Sequence, residues 1–196
     1  LEQVPAQSQP AGDQQYAPHV INTPLSFLIK SALNSNVFGE PGWMGTGWRA
    51  GRDLKRNDIG GKTGTTNSSK DAWFSGYGPG VVTSVWIGFD DSRALGRSTV
   101  SGAIPDQISG YEGGAKSAQP AWDDYMKSAL EGVPVQPLTP PEGVITVTID
   151  RATGKLANGG GNTRQEYFID GTQPVEYSVH DVGTTIMDNG ESHELF

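Results

Sequence analysis

The chain has 196 residues, 27 of them glycine and 13 proline, and a formal net charge of −8. Its acidic balance argues against a nucleic-acid or anionic-membrane partner, because either would need a basic face. Cysteine is absent, which excludes disulfides and thiol chemistry. No run of 18 or more apolar residues occurs, so we expect no membrane-spanning segment.

The first part of the chain predicts a flexible segment followed by a helix. Residues 1–18 are rich in Gln, Pro, Ala and Ser and lack apolar periodicity, which is typical of a linker or loop. Thr23 can then cap a helix, and Pro24 suits its first turn. The face expected to pack on the core is formed by Leu25, Leu28, Ile29, Ala32 and Leu33. We expect the basic residues within 37–56 to be solvated.

Three strands joined by short polar turns are predicted next, at 59–66, 72–77 and 81–89. Turns this short join neighbouring antiparallel strands, so the three strands form a meander. The third strand is apolar at nearly every position, and we therefore expect it to be covered on both faces.

A second helix is predicted at 116–130, with Pro120 in its first turn. Its core face is formed by Ala118, Trp122, Tyr125, Met126 and Ala129. We expect this face to cover the strands around Trp73, Val85 and Ile87.

The sequence beyond the second helix predicts a small β-rich unit. A proline-rich linker at 133–141 precedes a hairpin of strands 144–149 and 155–157. A further strand is predicted at 166–169. The last fifteen or so residues are expected to be poorly structured.

The first predicted strand carries the motif Gly-Gly-Lys-Thr-Gly-Thr-Thr at 60–66, and Asp-Ala-Trp-Phe follows at 71–74. The glycines do not form a phosphate loop, because the Gly-x-x-x-x-Gly-Lys-Ser/Thr spacing is absent. Lys-Thr-Gly is one of the signatures of active-serine, penicillin-recognising enzymes. With its flanks, the motif resembles the transpeptidase domain of bifunctional class A penicillin-binding proteins.

The side chains of this strand are suited to binding a peptide substrate. Lys62 offers a positive charge for a substrate carboxylate, and the hydroxyls of Thr63 and Thr65 could orient that carboxylate or relay a proton. Gly64 would let a peptide lie along the strand edge. The resemblance implies that the Thr65 N–H helps to form the oxyanion hole. We therefore predict catalytic roles for Lys62, Thr63 and Thr65, and substrate binding by these residues with Gly64 and Thr66. The alternative is an edge strand with a solvated lysine.

The resemblance also implies a reaction. Class A penicillin-binding proteins attack the D-Ala-D-Ala end of a peptidoglycan stem peptide with a serine and pass the acyl group to an amine on a neighbouring stem. β-Lactams acylate the same serine. Transpeptidation of this kind needs no metal or organic cofactor. The implied partners are therefore stem peptides and β-lactam antibiotics.

Two further motifs of the family are missing from the sequence. The nucleophile of the family lies in Ser-x-x-Lys, but Ser26 precedes Lys30 by four residues, and a Ser-x-Asn triad does not occur. We therefore expect a complementary upstream chain or segment to carry both motifs. The resemblance implies that the parent protein is also a glycosyltransferase, anchored at the periplasmic face of the inner membrane, and that this chain is a soluble part of it.

These features predict an α+β fold with an antiparallel meander and covering helices. The expected parts are a linker or loop at 1–18, the C-terminal part of a transpeptidase domain at 19–132, a linker at 133–141 and a β-rich extension at 142–196. Two alternatives remain for the function. One is a fragment of a serine β-lactamase, although the chain runs on too far after the second helix. The other is a non-catalytic module that binds the cell wall.

Other polar residues are given no site. The three histidines, His19, His180 and His193, lack metal-ligand spacing. The adjacent pairs Asp90-Asp91 and Asp123-Asp124 are expected to cap elements or to be solvated.

Overall fold

The computed structural model describes residues 20–98, 110–159 and 161–179. Its α-helices are α1 (Thr23–Phe38), α2 (Trp48–Leu54) and α3 (Gln119–Ala129), and a π-helical turn at Gly114–Ala118 leads into α3. Its strands are β1 (Gly60–Thr65), β2 (Ala72–Gly78), β3 (Val81–Ile87), β4 (Arg97–Ser98), β5 (Gly110–Tyr111), β6 (Val144–Asp150) and β7 (Thr163–Ile169). The predictions for residues 1–18, the three histidines and the last fifteen residues lie outside the described ranges. Among the described helices, each is too short or too polar to cross a membrane.

The predicted meander is confirmed. Strands β1, β2 and β3 form an antiparallel sheet in that order, and Lys62 lies opposite Ser75, which lies opposite Ser84. The smaller sheets pair β4 with β5 and β6 with β7. Helices combined with antiparallel sheets confirm the predicted α+β class.

The main core lies between the meander and α3. Phe74 and Trp122 are fully buried, and their ring centroids are 4.9 Å apart. The indole Nε1 of Trp122 also donates a hydrogen bond of 3.1 Å to the Thr83 carbonyl oxygen. The core contact of α3 is therefore Phe74. Val85 and Ile87 pack against the core that contains Trp122, as predicted. The prediction that α3 covers Trp73 was wrong, because Trp73 lies on the opposite face of the sheet, beside Trp86.

The predicted core face of α3 is partly wrong. Ala118, Trp122 and Met126 are buried, whereas Tyr125 is 52% exposed and Ala129 is exposed. Asp123, expected to be a capping or solvated residue, is buried because this part of α3 contacts α2.

Helix α1 also differs from its predicted pattern. Asn22 caps it, since its Oδ1 accepts a hydrogen bond of 2.9 Å from the Leu25 N–H, while Pro24 lies in the first turn as predicted. The buried side chains are Phe27, Asn36 and Val37. Three residues of the predicted core face are exposed: Leu25, Ile29 and Ala32. The helix contacts β7 through Phe27 and contacts β1, so no single apolar stripe decides which side chains are buried.

Strand β3 is covered on one face only, so the prediction of two covered faces was wrong. Val81, Val85 and Ile87 pack against the core, but Val82 is 79% exposed and Trp86 is 43% exposed. The reason is its position. β3 is the last strand of the described sheet, and α3 lies on the face opposite Val82 and Trp86.

The extension is built on the pair β6 and β7. The strand predicted at 166–169 is present and is longer, but the predicted hairpin partner of β6 is reduced to a single bridge between Ile149 and Leu156. The turn after β6 forms as the sequence indicates. The Asp150 carboxylate accepts hydrogen bonds from the N–H groups of Ala152 and Thr153, at 3.1 and 2.8 Å.

Polar contacts attach the segment at 133–141 to the rest of the fold. Arg56 donates to the Val133 carbonyl oxygen at 2.6 Å and pairs with Asp58 at 2.7 Å. Asp58 in turn accepts from the Gln136 N–H at 2.7 Å. Burial alone would raise the pKa of Asp58, but the Arg56 guanidinium and the Gln136 amide outweigh it and lower that pKa. This segment is thus fixed at its start by a charged cluster. The prediction that the basic residues within 37–56 are solvated was wrong for Arg49, which is buried, and for Arg56, whose side chain is 11% exposed.

Candidate functional site

The predicted site residues lie on the edge of β1 that faces away from β2. The Thr66 N–H donates to the Asp71 carbonyl oxygen of the neighbouring strand region at 3.1 Å. Backbone groups of successive residues point to alternate sides in an antiparallel ladder, so those of Thr65 and Thr63 point away from β2. No hydrogen bond within the described residues reaches the Thr65 N–H. This donor is therefore available to a peptide that adds to the edge.

Lys62 holds its ammonium at this edge. The side chain is exposed, and Nζ lies 2.9 Å from the Thr63 carbonyl oxygen and 3.4 Å from the Thr63 hydroxyl oxygen. Across the sheet, the hydroxyls of Ser75 and Ser84 are 2.8 Å apart and continue the polar stripe on the open face. The ammonium is placed to meet an anion that approaches along β1.

The Thr63 hydroxyl is part of a hydrogen-bonded chain that leaves β1. Its oxygen lies 2.9 Å from the Thr46 hydroxyl oxygen, and Thr46 donates to the Asn36 side-chain oxygen at 3.0 Å. The buried Asn36 amide nitrogen donates to the Gly61 carbonyl oxygen at 2.6 Å. Loop 39–47 is thereby tied to the motif strand.

Thr65 makes a different contact. Its hydroxyl oxygen accepts the Gly114 N–H at 3.0 Å, so its own hydrogen remains free to be donated. A Cβ at position 114 would lie 2.7 Å from the Gly64 carbonyl oxygen and 2.9 Å from the Gly64 nitrogen. Glycine at 114 is therefore needed for the π-helical turn to approach β1 this closely.

The two remaining site residues have contrasting surroundings. Thr66 is used by the turn after β1, since its hydroxyl donates to the Asp71 carboxylate at 3.0 Å and accepts from the Asp71 N–H at 2.8 Å. Gly64 leaves the backbone open, and a Cβ there would lie 3.1 Å from the Trp73 Cβ. The structure brings Lys62, Thr63, Gly64 and Thr65 together on the edge and commits the Thr66 hydroxyl elsewhere.

Asn36 and Thr46 were not predicted as site residues. The Gly-Thr-Gly triplet at 45–47 is the signal in the sequence that could have pointed to them. Both glycines allow a close approach to Asn36, because a Cβ at Gly45 would lie 2.9 Å from the Asn36 Cα and one at Gly47 3.2 Å from its amide nitrogen. The described residues contain no group of three or more His, Cys, Asp or Glu that could hold a metal ion.

Comparison with known proteins gives one consistent family. Residues 140–183 match the model of the penicillin-binding protein 1A C-terminal domain. Penicillin-binding protein 1A of Escherichia coli strain K12 is 80% identical over 186 residues, which is 94% of this chain and 22% of that protein. Its counterpart in Vibrio cholerae is 48% identical over 189 residues, which is 92% of this chain and 23% of that protein.

A solved structure shows the same fold. The crystal structure of penicillin-binding protein 1A from Haemophilus influenzae aligns with a TM-score of 0.72 at 48% sequence identity. The alignment covers 84% of this chain and 23% of that one. The chain thus spans less than a quarter of the length of these relatives.

Proposed function

We propose that this chain, which belongs to the penicillin-binding protein 1A family, supplies the substrate-gripping strand of a peptidoglycan DD-transpeptidase. The parent protein would cross-link stem peptides by serine acyl transfer and would be acylated by β-lactams. The observation that carries the proposal is the edge of β1, where the Lys62 ammonium and the free Thr65 N–H lie on one short stretch of strand. The relatives are penicillin-binding proteins, which favours this reading over a β-lactamase fragment.

The β1 edge can bind an extended peptide in two ways, through its backbone groups and through its side chains. Outward backbone groups of β1 can bind the peptide main chain as an added strand would. The terminal carboxylate of a D-Ala-D-Ala stem, or the carboxylate of a β-lactam, would then meet the Lys62 ammonium and the free hydrogen of the Thr65 hydroxyl. Hydrogen bonds to a charged group are stronger than neutral ones. The Thr65 N–H would face the oxygen that becomes negative during acyl transfer.

The serine nucleophile must come from a part of the parent protein outside this chain. The sequence lacks Ser-x-x-Lys and Ser-x-Asn, so both would come from upstream residues of the parent or from a complementary chain. The open side of the meander fits such a partner, because Trp73, Val82 and Trp86 are exposed on one face and β3 ends the described sheet. Residues 19–132 would then complete a transpeptidase domain, with 142–196 as an extension beyond the linker at 133–141.

The location follows from the substrate. Peptidoglycan is cross-linked at the periplasmic face of the inner membrane, so we place the parent protein there. A glycosyltransferase domain and a membrane anchor would lie in the parts of the parent outside this sequence.

Labelling with a fluorescent penicillin tests the proposal. The 20.8 kDa chain alone should carry no covalent label on a denaturing gel, because it lacks the serine motif. The full-length parent protein should be labelled, and excess unlabelled β-lactam should abolish that label. A covalent label on the isolated chain, or none on the full-length protein, would contradict the proposal.

A further inference from the structure

The hydrogen-bonded chain from Gly61 to Thr63 has only one possible direction. The Gly61 carbonyl oxygen can only accept, so the Asn36 amide nitrogen faces it at 2.6 Å and the Asn36 side-chain oxygen faces Thr46. That oxygen also can only accept. Thr46 must therefore give its one hydroxyl hydrogen to Asn36.

The direction of this chain fixes the Thr63 hydroxyl. With its hydrogen committed to Asn36, Thr46 can only accept from Thr63 across the 2.9 Å between their oxygens. The Thr63 hydroxyl is then a donor to Thr46 and presents only lone pairs to Lys62 Nζ, 3.4 Å away. Thr65 has the opposite polarity, because its oxygen accepts the Gly114 N–H and its hydrogen is free.

The loop that carries Thr46 is held rigidly. The Gly47 N–H donates to the Asn36 carbonyl oxygen at 3.1 Å, and the buried Gln119 amide donates to the Gly47 carbonyl oxygen at 3.0 Å. Glu40 and Trp43 exchange two backbone hydrogen bonds of 2.8 Å at the start of the loop. A side chain held by such contacts is preorganised and is not rearranged when substrate arrives.

We propose that Thr46 is a positioning residue of the acylation site. Together with Asn36 it orients the Thr63 hydroxyl as an acceptor toward the Lys62 ammonium, and so holds that ammonium at the β1 edge where the substrate carboxylate binds. Lys62 and Thr65 are then the side-chain donors to the carboxylate. This inference rests on the proposed function, and it adds two residues from outside the Lys-Thr-Gly motif.

A double-mutant cycle in the full-length protein tests the inference. The second-order rate of acylation by penicillin is measured for wild type, Thr46→Val, Thr63→Val and the double variant. Loss of one net hydrogen bond corresponds to a slowing of about two- to tenfold. We expect Thr46→Val to show such a slowing, Thr46→Ser to restore most of the rate, and Thr46→Val to add nothing once Thr63 is valine.

Two results would overturn the inference. One is an unchanged rate in Thr46→Val, and the other is a slowing by Thr46→Val that persists in full in the Thr63→Val background. If Thr46→Val lowers the thermal midpoint of the full-length protein, Thr46→Ala takes its place in the cycle. Thr46→Ala removes the same hydroxyl, so the same two results would overturn the inference. Failure of the wild-type protein to be acylated at all would instead contradict the proposed function.

Discussion

The two larger sheets of the molecule are held in place by different forces. The meander and α3 pack together through two fully buried aromatic rings, Phe74 on β2 and Trp122 on α3. In the described part of the extension, Ile149 is the one buried hydrophobic residue. The extension instead contacts the rest of the fold through ion pairs of Glu40 and one edge-to-face ring contact between Phe27 and Tyr167. Burial of apolar surface is the stronger force, so we expect the extension to detach before the meander unfolds.

The largest expected effect is on the meander. Trp122→Ala removes the largest fully buried side chain among the described residues, together with its hydrogen bond to Thr83, and should lower the free energy of unfolding by about 3–5 kcal/mol. Tyr125→Ala on the same helix is the matched control, since that side chain is 52% exposed and should change stability by about 0.5 kcal/mol or less. Chemical denaturation of the two variants measures the difference. Equal losses would show that α3 does not form the core.

The second expected effect is a pH dependence of the free energy of unfolding, and it arises at Asp123, where α3 contacts α2. Burial raises the pKa of Asp123 to about 7, and the nearby carboxylates of Asp53 and Asp124 add to the shift, while Gln119 and Arg49 oppose it. The folded state therefore binds this proton more tightly than the unfolded state, in which the pKa is near its ordinary value of 3.8. The contribution of Asp123 to the free energy of unfolding is therefore fully present below about pH 4 and is lost as the pH rises to about 7.

The Asp123 contribution can be isolated by substitution. Between about pH 4 and pH 7, Asp123 should change the free energy of unfolding by at most about 1.4 kcal/mol per pH unit. Asp123→Asn should remove this part of the pH dependence, whereas Asp124→Asn, at an exposed neighbour, should keep most of it. Denaturation curves at several pH values provide the test. An unchanged pH profile in Asp123→Asn would show that Asp123 is ionised in the folded protein.

The smallest expected effect is on the extension. Glu40 accepts from Arg151 at 2.9 Å and from Arg164 at 2.6 Å, and Glu40→Gln would weaken both contacts at nearly the same side-chain shape. Opening of β6 and β7 should become easier by about 1–2 kcal/mol. Amide hydrogen exchange should therefore speed up in these strands and stay unchanged in β1 to β3. Glu142→Gln, at an exposed position of the extension, is the control. Faster exchange in both sheets would contradict separate attachment.

The same contrast explains what the sequence could predict. The meander was predictable because the short polar turns that separate its strands are local signals. The buried face of α1 was not, because contacts with Tyr167, far along the chain, decide that Phe27 is buried while Leu25 is exposed. The Lys62–Thr65 edge was visible as a motif. The Asn36–Thr46 pair was not, since its meaning depends on hydrogen bonds to a strand more than fifteen residues away.

Lys62 is expected to bind the carboxylate of the substrate, and acylation kinetics of the full-length protein can show whether it does. A hydrogen bond to a charged group contributes about 1.5–3 kcal/mol, which corresponds to roughly one to two factors of ten in rate. Lys62→Ala should slow acylation by a β-lactam by that amount, and Lys62→Arg should retain part of the rate. Lys70→Ala, at a lysine in the turn after β1, serves as the control.

The decisive comparison uses the same β-lactam with its carboxylate esterified. We expect the ester to react at nearly the same rate with wild type and with Lys62→Ala, because no carboxylate remains for Lys62 to bind. If Lys62→Ala slows the ester as much as it slows the acid, the lysine does not bind the carboxylate, and the assignment of the β1 edge as the substrate grip is contradicted.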